Sequence, residues 1–160
     1  MIDYAKKAVK LLSEKHLKLT TAESCTGGLI AKMITDVSGA SAVFDCGIVS
    51  YSNNIKSSVL GVSEDTLNKF GAVSEQTVTE MVLGAIKISK ADVAVAVSGI
   101  AGPLSDSTNK PVGLIWIAVY YNGKTITKQI NNNFSQDIRN NNRNSAAYEA
   151  LKLVCHILDS

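Results

Sequence analysis

Near the start of the chain, TTAESCTGG gathers a carboxylate, a serine, a cysteine and a glycine pair between an apolar run and a helical pattern. At a strand-to-helix junction these residue types support several kinds of chemistry. Ser24 can cap the coming helix with its hydroxyl, the commonest use of serine at such a place. The backbone N–H groups of Cys25, Thr26, Gly27 and Gly28 can instead converge on a phosphate or a developing oxyanion, and the two glycines allow close approach. Cys25 can serve as a nucleophile, because a helix N-terminus lowers a thiol pKa. Glu23 can orient a lysine or cap the helix. No GK[ST] follows the glycines, which argues against a nucleoside triphosphatase loop.

A serine nucleophile needs a base. The chain has two histidines, His16 and His156, both on predicted helices away from the glycine-rich loops, so neither a Ser-His-Asp triad nor a histidine-rich metal site is supported. A lysine kept neutral by burial is the usual substitute. Lys56, closing YSNNIK just after a predicted strand, is the candidate, although on spacing alone it reads as a solvated loop lysine. Thr20, Thr21 and Thr26 read as ordinary strand and turn residues.

The elements that must hold these groups are set by periodicity and punctuation. Residues 3 to 16 put Ala5, Ala8, Val9 and Leu12 on one face of an amphipathic helix. A strand is predicted over Leu17 to Ala22, then a helix from near Gly27 and Gly28 with Leu29, Ile30, Met33 and Ile34 inward. Ser38 to Ser41 read as a turn centred on Gly39. Ala42 to Tyr51 read as a strand, which the asparagines of YSNNIKSSVLG break. Ser63 and Ser74 are predicted N-caps, the first for a helix over Glu64 to Lys69 stopped by Gly71, the second for a helix ending near Lys90. Val93 to Val97 is almost wholly apolar, as in a strand buried on both faces, and opens into SGIAGP. Asn122-Gly123 between Leu114 to Tyr121 and Lys124 to Ile130 marks a hairpin. Ala147, Ala150, Leu151, Val154, Cys155 and Leu158 close the chain with an amphipathic helix. This order predicts one domain, a three-layer α/β/α sandwich with a mixed sheet.

Composition narrows the function classes. The 160 residues are 46% hydrophobic and 19% charged, the balance of a globular domain that folds without staples. Sixteen basic against 14 acidic side chains, with no long block of like charge, disfavour nucleic acid as a partner. No apolar run has the length of a signal sequence or a membrane span, so a cytoplasmic protein without a membrane partner is expected. Cys25, Cys46 and Cys155 lack paired short spacings and read as reduced thiols.

In order and spacing, TTAESCTGG, ITDVSGASAVF, GIVSYSNNIK, LGVSEDTL, GAVSEQTVTEM, VAVSGIAGP and KPVGLIWIA resemble the C-terminal domain family of the competence/damage-inducible protein CinA. The resemblance runs from about residue 18 to 118 and more loosely to the end. It implies one CinA C-terminal-like amidohydrolase domain over residues 1–160, without the family's N-terminal pyrophosphatase domain. The implied reaction is deamidation of nicotinamide mononucleotide to nicotinate mononucleotide, a step of pyridine nucleotide salvage, with no metal or other cofactor. The resemblance makes Ser24 the nucleophile, Lys56 its base and Tyr51 an assisting hydroxyl. N–H groups around Cys25 to Gly27 would hold the oxyanion, and the SGIAGP turn, with Ser98, Gly99 and Gly102, would shape the nucleotide pocket.

Two departures from the family pattern stand out. Leu104-Ser105-Asp106 replaces a glycine run that often follows SGIAGP. Arg139 and Arg143 have the spacing of the family's two phosphate-suited arginines only if one residue is inserted in FSQDIRNNNR; without a gap, Ile138 and Asn142 take those places. A non-catalytic nucleotide-binding regulatory module, or an amidase for another small amide, are the competing functions. A homo-oligomer is expected from the family.

Overall fold

The computed structural model describes residues 1–160. The elements run α1 (Tyr4–Glu14), β1 (Leu19–Glu23), α2 (Leu29–Thr35), β2 (Phe44–Val49), α3 (Asn53–Ser58), α4 (Glu64–Phe70), α5 (Glu75–Ser89), β3 (Val93–Gly99), β4 (Leu114–Tyr121), β5 (Lys124–Asn131) and α6 (Ile138–Asp159). Local chemistry sets most of their ends. Asp3, Ser63 and Ser74 cap α1, α4 and α5 by accepting from the backbone N–H three residues on. Asn122 and Gly123 both take positive φ, at 50° and 74°, as the two-residue turn between β4 and β5 requires.

The sheet order is β2-β1-β3-β4-β5. β1 runs parallel to both β2 and β3, whereas β3, β4 and β5 are antiparallel neighbours, so the sheet is mixed. Successive side chains on a strand point to opposite faces, and β3 accordingly feeds two cores. Val93, Val95 and Val97 join one with Ala8, Leu12, Ile30, Ile34, Ala147 and Leu151 from α1, α2 and α6. Ala94 and Ala96 join the other with Val78, Met81, Val82 and Ala85 of α5. Helices therefore cover both faces, giving the expected three layers, with β1 and β3 at the centre.

Two expectations need correction. The predicted strand over Ala42 to Tyr51 begins only at Phe44, because a 3-10 turn occupies Ala40–Ala42. The segment after Tyr51, expected as loop, is helical: the Ser52 hydroxyl accepts from the Ile55 N–H at 3.2 Å and starts α3, which carries Lys56.

The carbonyl end of this segment is seated on α5. A Cβ added to Gly84 would lie 1.9 Å from the Leu60 carbonyl oxygen, so glycine alone permits the approach. Gly84→Ala is expected to lose about 2 kcal/mol or more of stability in urea unfolding, because the clash outweighs the roughly 1 kcal/mol that alanine gains in a helix. An unchanged or raised midpoint would contradict this packing.

Candidate active site

The carboxyl ends of β1, β2 and β3 converge where β1 is flanked by parallel strands on both sides, the switch point at which open α/β sheets form crevices. The backbone locks this corner. The Ser24 N–H donates to Val97 O at 3.0 Å, and the Ser50 N–H donates to Glu23 O at 2.8 Å. Glu23 is fully buried, and its two carboxylate oxygens accept from the N–H groups of Ile30 and Ala31 at 2.8 and 3.0 Å. Its negative charge thus meets the positive end of α2. Of the two roles open to it in the sequence, Glu23 takes the cap, which leaves the Ser24 hydroxyl available for other work.

That hydroxyl accepts a hydrogen bond from Lys56 Nζ at 2.9 Å. The same Nζ donates to Ser50 O at 2.8 Å and reaches Tyr51 O at 3.4 Å. Lys56 is only 1% exposed, and none of the chain's ion pairs includes it. Burial without a neighbouring carboxylate disfavours the ammonium form. The pKa falls accordingly from 10.5 to about 8. Roughly a tenth of the side chain is then neutral at pH 7, and Ser24 has a base in contact. Cys25 moves the other way: burial pushes its thiol up to about 12, which leaves it un-ionised and poorly suited as a nucleophile.

The cleft over this pair brings together Ser24, Cys25, Tyr51 and Lys56 with Ser98, Gly99, Gly102 and Arg139. Arg139 donates to Gly102 O and to the Tyr51 hydroxyl, each at 2.9 Å. Tyr51 therefore offers its carbonyl to Lys56, while its hydroxyl is engaged by Arg139 rather than by either member of the pair. Thr26, Gly27, Gly28 and Arg143 do not line the cleft. The Gly27 N–H, expected among the oxyanion donors, is taken by Ser24 O at 3.0 Å; those of Cys25 and Thr26 find no acceptor in the chain. Arg143 turns to the loop instead, donating from Nε to Cys25 O at 3.1 Å and from a terminal nitrogen to Thr26 O at 2.9 Å.

Sequence reading missed two residues that brace the walls of the cleft without lining it. Lys110 Nζ donates to Phe70 O and Val73 O at 2.6 and 2.5 Å and so ties the 70–73 wall to the loop that follows SGIAGP. Asn142, 1% exposed, donates to Ala101 O at 2.9 Å and ties α6 to the same loop. In the sequence Asn142 stands out only as the gap-free alternative to an arginine, and nothing local marks Lys110. Leu104, Ser105 and Asp106 do border the cleft. No group of three or more His, Cys, Asp or Glu side chains is arranged to hold a metal, and no helix is long and apolar enough to cross a membrane.

A family model for the CinA C-terminal domain matches residues 2–158. The nicotinamide-nucleotide amidohydrolase PncC of Escherichia coli (strain K12) is 54% identical over 107 residues, 67% of this chain and 65% of that protein. The amidohydrolase of the same name from Enterobacter agglomerans is 61% identical over 105 residues, covering 66% and 64%. A CinA-like protein of Kosmotoga olearia is 48% identical over 146 residues; the match takes in 91% of this chain but 35% of the relative. The chain thus spans less than two thirds of the length of these curated relatives. Among solved structures, the competence/damage inducible protein CihA from Agrobacterium tumefaciens superposes with TM-score 0.91 at 40% identity, over 100% of this chain and 98% of that one.

The buried lysine leaves a mark on stability. Lys56 titrates at about 8 in the folded protein against 10.5 when exposed. Between those values the unfolded chain holds more protons, so stability rises with pH. Wild type is therefore expected to gain stability relative to Lys56→Met as pH goes from about 8 to 10, measured by urea unfolding at each pH. A constant difference would mean that Lys56 keeps its ordinary pKa.

Proposed function

The chain belongs to the CinA C-terminal domain family, and we propose that its Ser24–Lys56 pair hydrolyses the carboxamide of nicotinamide mononucleotide to nicotinate mononucleotide and ammonia. One observation carries the chemistry: a serine hydroxyl 2.9 Å from the Nζ of a buried lysine that has no carboxylate partner. The amidohydrolase relatives supply the substrate class.

In this reading neutral Lys56 takes the Ser24 proton as Oγ attacks the carboxamide carbon. The tetrahedral oxyanion is met by the N–H group of Cys25, the loop residue beside Ser24 that lines the cleft. The Lys56 ammonium then gives its proton to the departing nitrogen, ammonia leaves, and a Ser24 ester of the nicotinate group remains. Water adds to that ester with Lys56 again as base, and the proton returns to Ser24 Oγ as the acid is released. Arg139 at the cleft supplies a cation for the nucleotide's phosphate, oriented by Gly102 O and the Tyr51 hydroxyl. The reaction belongs to pyridine nucleotide salvage and uses no metal.

Purified protein incubated with nicotinamide mononucleotide is expected to release ammonia and nicotinate mononucleotide in equal amounts, unaffected by EDTA. Ser24→Ala and Lys56→Ala should each lower kcat by on the order of 10³-fold or more, as loss of a nucleophile or its base does, whereas Cys25→Ala should keep most activity. Because the base must be unprotonated, kcat/KM should rise with pH and level off above about 8. No product at high protein concentration, or activity lost only in the cysteine variant, would refute the proposal.

A further inference from the structure

Arg143 has the look of a substrate ligand in the sequence, yet it is no part of the cleft lining, and its guanidinium holds two consecutive backbone carbonyls of the nucleophile loop, Cys25 O at 3.1 Å and Thr26 O at 2.9 Å. In a trans peptide the N–H points opposite to the C=O. Holding Cys25 O therefore turns the Thr26 N–H away from the arginine. Holding Thr26 O turns the Gly27 N–H away in the same sense, and that N–H donates to Ser24 O at 3.0 Å. Fixing Ser24 O in turn directs the Cys25 N–H to the far side of its own peptide. The two N–H groups at the ends of this relay, those of Cys25 and Thr26, are left without an acceptor in the chain, as is that of Gly28 just beyond it.

The loop is built around this contact. Gly27 adopts φ of 60°, and a Cβ there would come within 3.3 Å of the Arg143 terminal nitrogen. No carboxylate pairs with Arg143, so its charge acts on the peptides it holds. Cations that pull on a carbonyl oxygen also make the N–H of the same peptide a stronger donor.

We infer that Arg143 is a positioning residue: from α6 it sets the peptide planes of the Ser24–Gly27 loop so that the Cys25 N–H awaits the oxyanion, and it does not bind the substrate's phosphate. The inference rests on Ser24 as nucleophile, the reading proposed above, but not on the identity of the substrate.

Two assays on the full chain separate the possibilities. In the first, turnover of nicotinamide mononucleotide is compared with that of its phosphate-free nucleoside. Arg143→Gln is expected to lower kcat about 10²-fold by the same factor on both, the cost of weakening oxyanion donors, with KM within about 3-fold. Arg139→Gln serves as the contrast, raising KM for the nucleotide alone. Arg143→Lys, which keeps the charge but loses the planar fork that spans the two carbonyls, should fall between wild type and Arg143→Gln. In the second assay, a fluorophosphonate phosphonylates Ser24: Oγ bonds to phosphorus, fluoride leaves and Lys56 takes the proton. Mass spectrometry should show labelling at least about 10-fold slower in Arg143→Gln than in wild type.

Wild-type labelling without turnover of the nucleotide would defeat the proposed substrate and leave this inference standing on the labelling rates. A rise in KM for the nucleotide alone in Arg143→Gln, or unchanged labelling, would overturn it. Absence of labelling in wild type would overturn both readings. If Arg143→Gln does not fold, the comparison of Arg143→Lys with wild type decides on the same criteria.

Discussion

The structure turns on one contact, the hydrogen bond between Lys56 Nζ and Ser24 Oγ inside a site that withholds any counter-charge from the lysine. A buried ammonium is costly, and here two backbone carbonyls and a hydroxyl are all that meet it. That incomplete compensation is what brings the pKa down and makes the amine a base. Glu23, the carboxylate next to Ser24 in the chain, is kept from the lysine by the two N–H groups of α2 that it accepts from. Were Glu23 free to pair with Lys56, the ammonium would be stabilised and the base lost.

The rest of the fold serves to hold these two side chains together from 32 residues apart. Ser24 sits at the end of β1, pinned to β3 by Val97 and, through Glu23, to β2 by Ser50. Lys56 rides on α3, a helix of six residues that would be marginal alone. Its anchoring comes from the Ser52 cap and from Leu60 and Val62, which are buried against α5. The third contribution comes from α6, packed over β4: Arg139 and Asn142 hold carbonyls of the SGIAGP loop, and Arg143 holds two of the nucleophile loop. Loops fixed in this way cost little to reorganise when charge develops, which is the condition for electrostatic stabilisation.

Much of the fold is legible in the sequence because local signals agree. The serine caps at Ser63 and Ser74, the Asn122-Gly123 turn and the apolar run of β3 each announce themselves in short stretches. Helix α3 does not, since six residues rich in Asn and Ser show neither periodicity nor propensity, and only Ser52 hints at a start. The site is half legible. Composition excludes histidine chemistry and offers a lysine, but spacing alone leaves Ser24 as a cap and Lys56 as a solvated side chain; the family resemblance reverses both. The roles of the arginines are out of reach, because backbone carbonyls as partners leave no trace in residue types. Arg143 finds its partners 117 and 118 residues away.

The central claim is that Lys56 is a weak ammonium held beside Ser24, and its protonation can be read directly. In protein carrying isotope-labelled lysine, with Lys56→Arg to assign the signal, the Nζ and ε-methylene resonances of Lys56 are tracked by NMR from about pH 6 to 11, a range that spans the ordinary lysine pKa. One lysine is expected to titrate with a midpoint at about 8. A midpoint that stays near the ordinary 10.5 would contradict it.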